Sequence, residues 1–340
     1  MNNNFQLKLF FISTILVLSA CGSSSKTNSN NSTSDSGSSS PSIGLPNNIN
    51  GLIVLNTWTN AGNNYGIYSI DFVNGQISSS RRLTTENKGI NPYAHDRNTI
   101  TYAEPCSGQY THHRLKTIDE NGLSSAQIIP CSSDLWGSVG KYEVAKISPD
   151  KSKVAIELDS GINTTTWNTK YLIKIFDVST GEELYSYMDY QSPEWHPSGR
   201  LLLAASDENN TKGIFITDKD FNQQLTRIDL GKINQSVSYL NLNSSSNKLI
   251  FAMSGRVWIM NINESYKLSV LQEIISESAV ISAPTWSPDG QYIAYLNESF
   301  NMTFWHVESQ KPYVFPTDKV LPLHANGYQW ISPGYFSWVE

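Results

Sequence analysis

The sequence predicts an all-β chain assembled from repeats of one four-stranded unit, and three observations carry that prediction. The first is a tight turn followed by alternating apolar residues, Trp286-Ser287-Pro288-Asp289-Gly290-Gln291-Tyr292-Ile293-Ala294-Tyr295. Pro288 pre-sets φ at the first corner, Asp289 can bond its own backbone, and Gly290 accepts positive φ without steric cost, so a hairpin follows. The same design returns as Ile147-Ser148-Pro149-Asp150-Lys151-Ser152-Lys153-Val154 and as Trp195-His196-Pro197-Ser198-Gly199-Arg200-Leu201-Leu202. The second observation is the period. Weaker copies pair Tyr93 with Ile100 and Leu242 with Leu249, a last one begins at Trp330, and the anchors are separated by 54, 48, 47, 44 and 44 residues. The third is a short β-rich strand downstream of each anchor that ends in a polar residue before a turn.

Short strands repeating every forty-odd residues are the signature of a β-propeller, with one four-stranded blade per repeat. The copies of the third strand are Tyr68-Ser69-Ile70-Asp71, Lys116-Thr117-Ile118-Asp119, Lys174-Ile175-Phe176-Asp177, Phe215-Ile216-Thr217-Asp218, Trp258-Ile259-Met260-Asn261 and Phe304-Trp305-His306. Gly75, Asn121-Gly122 and Thr180-Gly181 follow three of them, as hairpins require. The first copy, within Gly51 to Leu83, lacks an anchor strand, and Trp330 to Trp338 reads as an anchor hairpin with nothing after it. These incomplete pieces complement each other. Joining them closes a ring of six blades and removes the exposed edges that invite aggregation.

The N-terminus reads differently. A start with Lys8, the apolar run Leu9 to Val17 and then Leu18-Ser19-Ala20-Cys21 make a secretory signal over residues 1–20. That core is shorter than the roughly 20 apolar residues that span a bilayer. The Leu-Ser-Ala-Cys ending resembles the lipobox of bacterial lipoproteins. The resemblance implies acylation of Cys21, and Gly22 after it implies the outer membrane, facing the periplasm. Residues 21–49 are the lipidated Cys and a Ser- and Asn-rich stretch that cannot bury a core, a tether spanning about 30 Å on average as a coil. Residues 50–340 are the propeller.

Cys106 and Cys131 remain once Cys21 is set aside. In an oxidising compartment two such thiols join, and closing the loop between them stabilises by about 3 to 4 kcal/mol. A catalytic Cys beside His112 or His113 is the alternative. The two rings, adjacent on a strand, point to opposite faces, so no metal site is expected.

Composition excludes several partners. With 30 acidic against 24 basic residues and net charge −6, the chain lacks the cationic surface that phosphate backbones require. Six blades of about 45 residues leave no room for an appended catalytic domain. No Gly-x-Ser-x-Gly elbow or His-Glu-x-x-His helix occurs. His196 and His306 stand where other repeats carry Ser and Asp, and Asp71, Asp119, Asp177 and Asp218 precede turns, so all six are read as turn-forming.

The repeats resemble the TolB-type six-bladed propellers, over roughly residues 50–340. TolB carries an α/β domain before its propeller, and here a lipid anchor and tether stand in that place. The resemblance therefore implies the fold and not TolB's partners. Because strands alternate direction, the Ser-Pro-Asp-Gly turns share one face of the ring and the long insertions the other. Those insertions hold Trp58, Tyr65, Tyr110, Trp136 and Trp167, aromatics suited to contact surfaces. The expectation is a monomeric, non-catalytic binding platform for an envelope protein or peptide, with no cofactor. The alternative is a glycan-processing enzyme, lyase-like, working in the central channel, where Glu143 and Glu194 interrupt the apolar and small residues of the anchor strands.

Overall fold

A computed structural model describes residues 44–59, 65–85, 89–107, 109–123, 126–132, 141–162, 169–205, 213–221, 225–228, 236–263, 266, 268–275, 282–316, 329–331 and 335–340. Blade 1 contains β1 (Gly51–Thr59), β2 (Tyr65–Val73) and β3 (Gln76–Arg82). Blade 2 is β4 (Ile90–Asp96), β5 (Thr99–Cys106), β6 (Gln109–Ile118) and β7 (Gln127–Ser132). Blade 3 is β8 (Lys141–Ile147), β9 (Lys153–Ile162), β10 (Thr169–Asp177) and β11 (Glu183–Met188). Blade 4 is β12 (Tyr190–Trp195), β13 (Leu201–Ala205), β14 (Gly213–Thr217) and β15 (Leu225–Ile228). Blade 5 is β16 (Val237–Leu242), β17 (Lys248–Met253), β18 (Arg256–Ile262) and β19 (Leu268–Ile275). Blade 6 is β20 (Thr285–Trp286), β21 (Tyr292–Leu296), β22 (Met302–His306) and β23 (Lys311–Phe315), and the tail adds β24 (Gln329–Ile331) and β25 (Ser337–Val339).

Each sheet is an antiparallel meander, and the tail completes blade 1 by pairing with β1. The six-bladed ring is therefore closed head to tail. The tail is not a hairpin, contrary to the sequence expectation. β24 pairs with Thr57–Thr59 and β25 with Leu52–Val54, both antiparallel, so they are two pieces of one interrupted strand along β1. One edge had to be covered from end to end, and a hairpin would have covered half of it and created another.

Two further boundaries move. Leu45 and Ile49 are buried in the core shared by blades 1 and 6, and the Asn48 side chain bonds Gln291 and Tyr292. The packed body thus begins before residue 50. In blade 2, Ala94 pairs with Ile100 and Tyr93 with Thr101, so the anchor position belongs to Ala94. Leu242 and Leu249 pair as expected.

Six apolar cores lie between successive blades, and alternate residues of a strand serve different cores. On β9, Val154, Ile156 and Leu158 face blade 2 while Ala155 faces blade 4. Burial on both faces explains why β13 and β21 are buried at every position, where a one-sided sheet would alternate.

The turns carry out the chemistry their residues announce. Ser148 Oγ and Ser287 Oγ accept the N–H of Lys153 and Tyr292 and donate to Asp150 and Asp289, which in turn accept from Ser152 and Gln291. The left-handed corner is imposed whatever residue stands there. Gly290 adopts φ 69°, Lys151 59° and Ser246 54°. His196 Nδ1 accepts from Ser198 N and His306 Nδ1 from Ser309 N, so both histidines cap turns. Asp119 and Asp177 do likewise. Asp71 instead accepts from Ser78 and pairs with Arg97.

Candidate functional site

The inner strands bring one polar side chain from every blade to the channel: Ser337, His95, Lys146, Glu194, Asn241 and Thr285. Four of them latch one blade to the next. Ser337 Oγ accepts Ala94 N at 2.6 Å, His95 Nε2 accepts Ile147 N at 3.4 Å, Glu194 Oε1 accepts Leu242 N at 3.1 Å and Asn241 Oδ1 accepts Trp286 N at 3.0 Å. The anchor tryptophans repeat the device, Trp195 donating its indole N–H to Lys146 O at 2.7 Å and Trp286 to Asn241 O at 3.2 Å. Trp suits these two anchors because the indole both fills an interface and satisfies the carbonyl of the preceding blade.

Lys146 departs from this scheme, since an ammonium cannot accept. It donates to Glu194 Oε2 at 2.5 Å and to Leu240 O at 3.2 Å, with the Tyr93 and Tyr335 rings at 4.6 and 5.6 Å. Burial pulls its pKa down, and Glu194 and Tyr93 outweigh burial, so the amine stays above its ordinary value. Burial drives His95 down to about 3, with Lys146 adding to the effect, and keeps the ring neutral. Burial also raises the Tyr93 hydroxyl to about 12.

Above this floor lies a cup of about 410 Å³. Its rim is formed by Ser148, Pro149, Lys151, Ser287 and Pro288, so it belongs to the face of the Ser-Pro-Asp-Gly turns. On the other side of Lys146 the channel is filled. Tyr335, from the tail, packs with Val144 and Ala283 and meets Tyr239 edge to face at 5.2 Å. Its hydroxyl donates to Glu157 Oε2 at 2.7 Å, and Ser192 N donates to the same oxygen at 2.8 Å. Burial lifts Glu157 to about 7 against the lowering effect of these two donors, and Glu143 adds to the rise.

The expected contact residues are placed only in part. The backbones of Trp58, Tyr65 and Tyr110 lie on β1, β2 and β6, and their side chains are outside the described residues, as are Trp136, Trp167 and Cys21 altogether. Cys106 and Cys131 form the expected disulfide, with Cα atoms 6.2 Å apart, tying the ends of β5 and β7. His113 is buried and pushed down to about 4 by burial. Among the described residues no group of three or more His, Cys, Asp or Glu could hold a metal ion.

Glu194 was singled out by sequence as an interruption of its strand, whereas Lys146, Asn241, Thr285 and Glu157 were not. A signal existed for the first three. They stand immediately before Ile147, Leu242 and Trp286, as Glu194 stands before Trp195. Glu157 is the charge inside the otherwise apolar run Val154-Ala155-Ile156-Glu157-Leu158.

No protein-family model and no curated protein matches the chain. Solved structures do. TolB from Acinetobacter baumannii superposes with a TM-score of 0.59 at 15% identity over 85% of this chain, which spans 66% of that one. Kuenenia stuttgartiensis hydrazine synthase gives 0.55 at 12% identity, over 86% of this chain and 46% of that one. An oligogalacturonate lyase in complex with manganese gives 0.50 at 12% identity, over 77% of this chain and 73% of that one. At such identities the likeness speaks for architecture alone: the chain has the fold of a TolB-type six-bladed β-propeller.

Proposed function

We infer that this chain is a cell-envelope lipoprotein, anchored through Cys21 in the outer membrane facing the periplasm, whose propeller is a non-catalytic platform for a protein or peptide ligand. The observation that carries the reading is the cup. It offers a concave surface to which every blade contributes, while its charged floor groups are tied to one another. Lys146 is held charged by Glu194, Glu194 is engaged by both oxygens, and His95 is neutral, so none is poised as a nucleophile or base. The Cys106–Cys131 bridge supports an oxidising, extracytoplasmic location.

The test is crosslinking in intact envelopes from position 151 on the turn face and from positions 136 and 167 on the long insertions, followed by pull-down. Recovery of one stoichiometric protein supports the platform and tells which face it uses. No adduct from either face sinks it. Substituting Trp136 and Trp167 by Ala is expected to leave thermal stability unchanged and to abolish capture if the insertions are the contact surface. Cys21→Ser is expected to move the chain from the membrane to the soluble fraction.

A second reading, a lyase-like enzyme, has one observation in its favour. Glu157, held near 7 beside the Tyr335 hydroxyl, has the properties of an acid–base pair within the channel. The residues described do not form a manganese site. Release of unsaturated ends from uronic acid oligomers by the purified protein would establish this reading.

A further inference from the structure

The floor of the cup is unbalanced in its hydrogen bonding. The acceptors that face it are engaged: Glu194 by Leu242 N and Lys146, Asn241 Oδ1 by Trp286 N, His95 Nε2 by Ile147 N and Ser337 Oγ by Ala94 N. The donors are not all used. Trp286 N can bond only the oxygen of the Asn241 amide, which fixes the amide's orientation and turns its nitrogen toward Tyr93. That nitrogen gives one proton to the Tyr93 hydroxyl at 3.4 Å and keeps a second. The Tyr93 hydroxyl, accepting there, meets no acceptor for its own proton among the described residues, and the buried Thr285 hydroxyl makes no hydrogen bond among them. All three residues line the cup.

We propose that the cup binds the carboxylate of a small ligand, whose oxygens take the unused protons of Tyr93, Asn241 and Thr285 beside the Lys146 ammonium. Buried donors favour an acceptor, and one carrying charge makes the stronger bonds. The charge count ranks the anions. Lys146 is already balanced by Glu194, so the floor is neutral overall; a carboxylate adds one negative charge for the donors to carry, whereas a phosphate dianion would add two. The walls define the rest of the ligand. Trp195, Trp286 and Trp338 have their indole N–H groups committed to carbonyls at 2.7, 3.2 and 2.9 Å, and they present only ring surface. A cavity of about 410 Å³ leaves room for a compact body beyond the carboxylate, either the last residue of a peptide or one sugar acid.

The inference deepens the platform reading and rests on it, naming the chemistry of the ligand at the same site. Calorimetric titration of the purified full-length protein with the dipeptide Gly-Leu, its C-terminal amide, galacturonate and inorganic phosphate tests it. One of the two carboxylates is expected to bind at least about tenfold more tightly than the amide, and the tighter of the two identifies the source. Thr285→Val is expected to weaken that binding about tenfold while leaving thermal unfolding unchanged, because this hydroxyl holds no other part of the fold. Equal affinity for acid and amide, tighter binding of phosphate, undiminished binding by Thr285→Val, or no saturable heat from any probe overturns the proposal. Failure here together with successful crosslinking from position 151 leaves the platform standing without this ligand.

Discussion

Lys146 and Glu157 lie on adjacent strands of blade 3, both buried in the channel, and the structure treats their charges in opposite ways. Lys146 has a countercharge at 2.5 Å, a carbonyl and an aromatic face, and it remains an ammonium. Glu157 has two neutral donors and a second carboxylate, Glu143, in its vicinity, and burial brings it to the edge of protonation at neutral pH. The difference shows that burial alone does not decide ionisation. A partner of full opposite charge outweighs desolvation, whereas hydrogen bonds to one oxygen only moderate it. It also divides the channel into an ion-paired end that opens into the cup and an end beside Tyr335 whose carboxylate lies at the edge of protonation.

The largest test of this division breaks the pair. Lys146→Met leaves the Glu194 carboxylate buried without its partner and is expected to cost about 3 to 5 kcal/mol in urea unfolding. Adding Glu194→Gln is expected to recover most of that loss. A cost below about 1 kcal/mol for Lys146→Met would mean that the pair is not an organising element.

The pH dependence follows, and its two limbs have opposite signs. Glu157 is raised from 4.5 to about 7, so its contribution is fully present below about pH 4.5 and is lost as pH rises through 7, on the order of 3 kcal/mol. Glu157→Gln is expected to flatten that limb in denaturation curves taken between pH 5 and 8. His95 is lowered from 6.5 to about 3, so its contribution is present above pH 6.5 and is lost as pH falls toward 3. His95→Gln, which keeps an acceptor for Ile147 N, is expected to flatten the acid limb and leave the alkaline one intact.

Smaller effects come from the latches and turns. Trp286→Phe keeps most of the packing and leaves Asn241 O without its indole donor, an expected loss of about 2 kcal/mol. Lys151→Gly relieves a left-handed corner at φ 59°, and a gain of up to about 1 kcal/mol is expected in the unfolding midpoint. A loss at that position would show that the Lys151–Asp96 contact at 3.2 Å outweighs the backbone.

Much of the fold was legible because its determinants are local. Ser148, Pro149 and Asp150 shape their turn with bonds that span five residues or fewer, and His196 and His306 substitute into the same roles. The disulfide followed from two thiols and a compartment. The tail was legible as a missing strand and illegible as an interrupted one, because Trp330-Ile331-Ser332-Pro333-Gly334 looks like every other turn, and only the full length of β1 required a partner at both of its ends. The candidate site was the least legible part. Asn241 and Thr285 are ordinary polar residues on short strands until the ring sets them beside Tyr93.

The sequence by itself determined the repeat, the number of blades, the order of strands within each, and the joining of tail to head, since turn chemistry and period act over a few residues and recur. Only the tertiary structure decided which polar side chains meet in the channel, which of them keep a charge, and which donors are left for a ligand. Those outcomes depend on distances and desolvation among residues 35 to 178 positions apart, such as Glu157 with Ser192 and Tyr335. No local pattern encodes them.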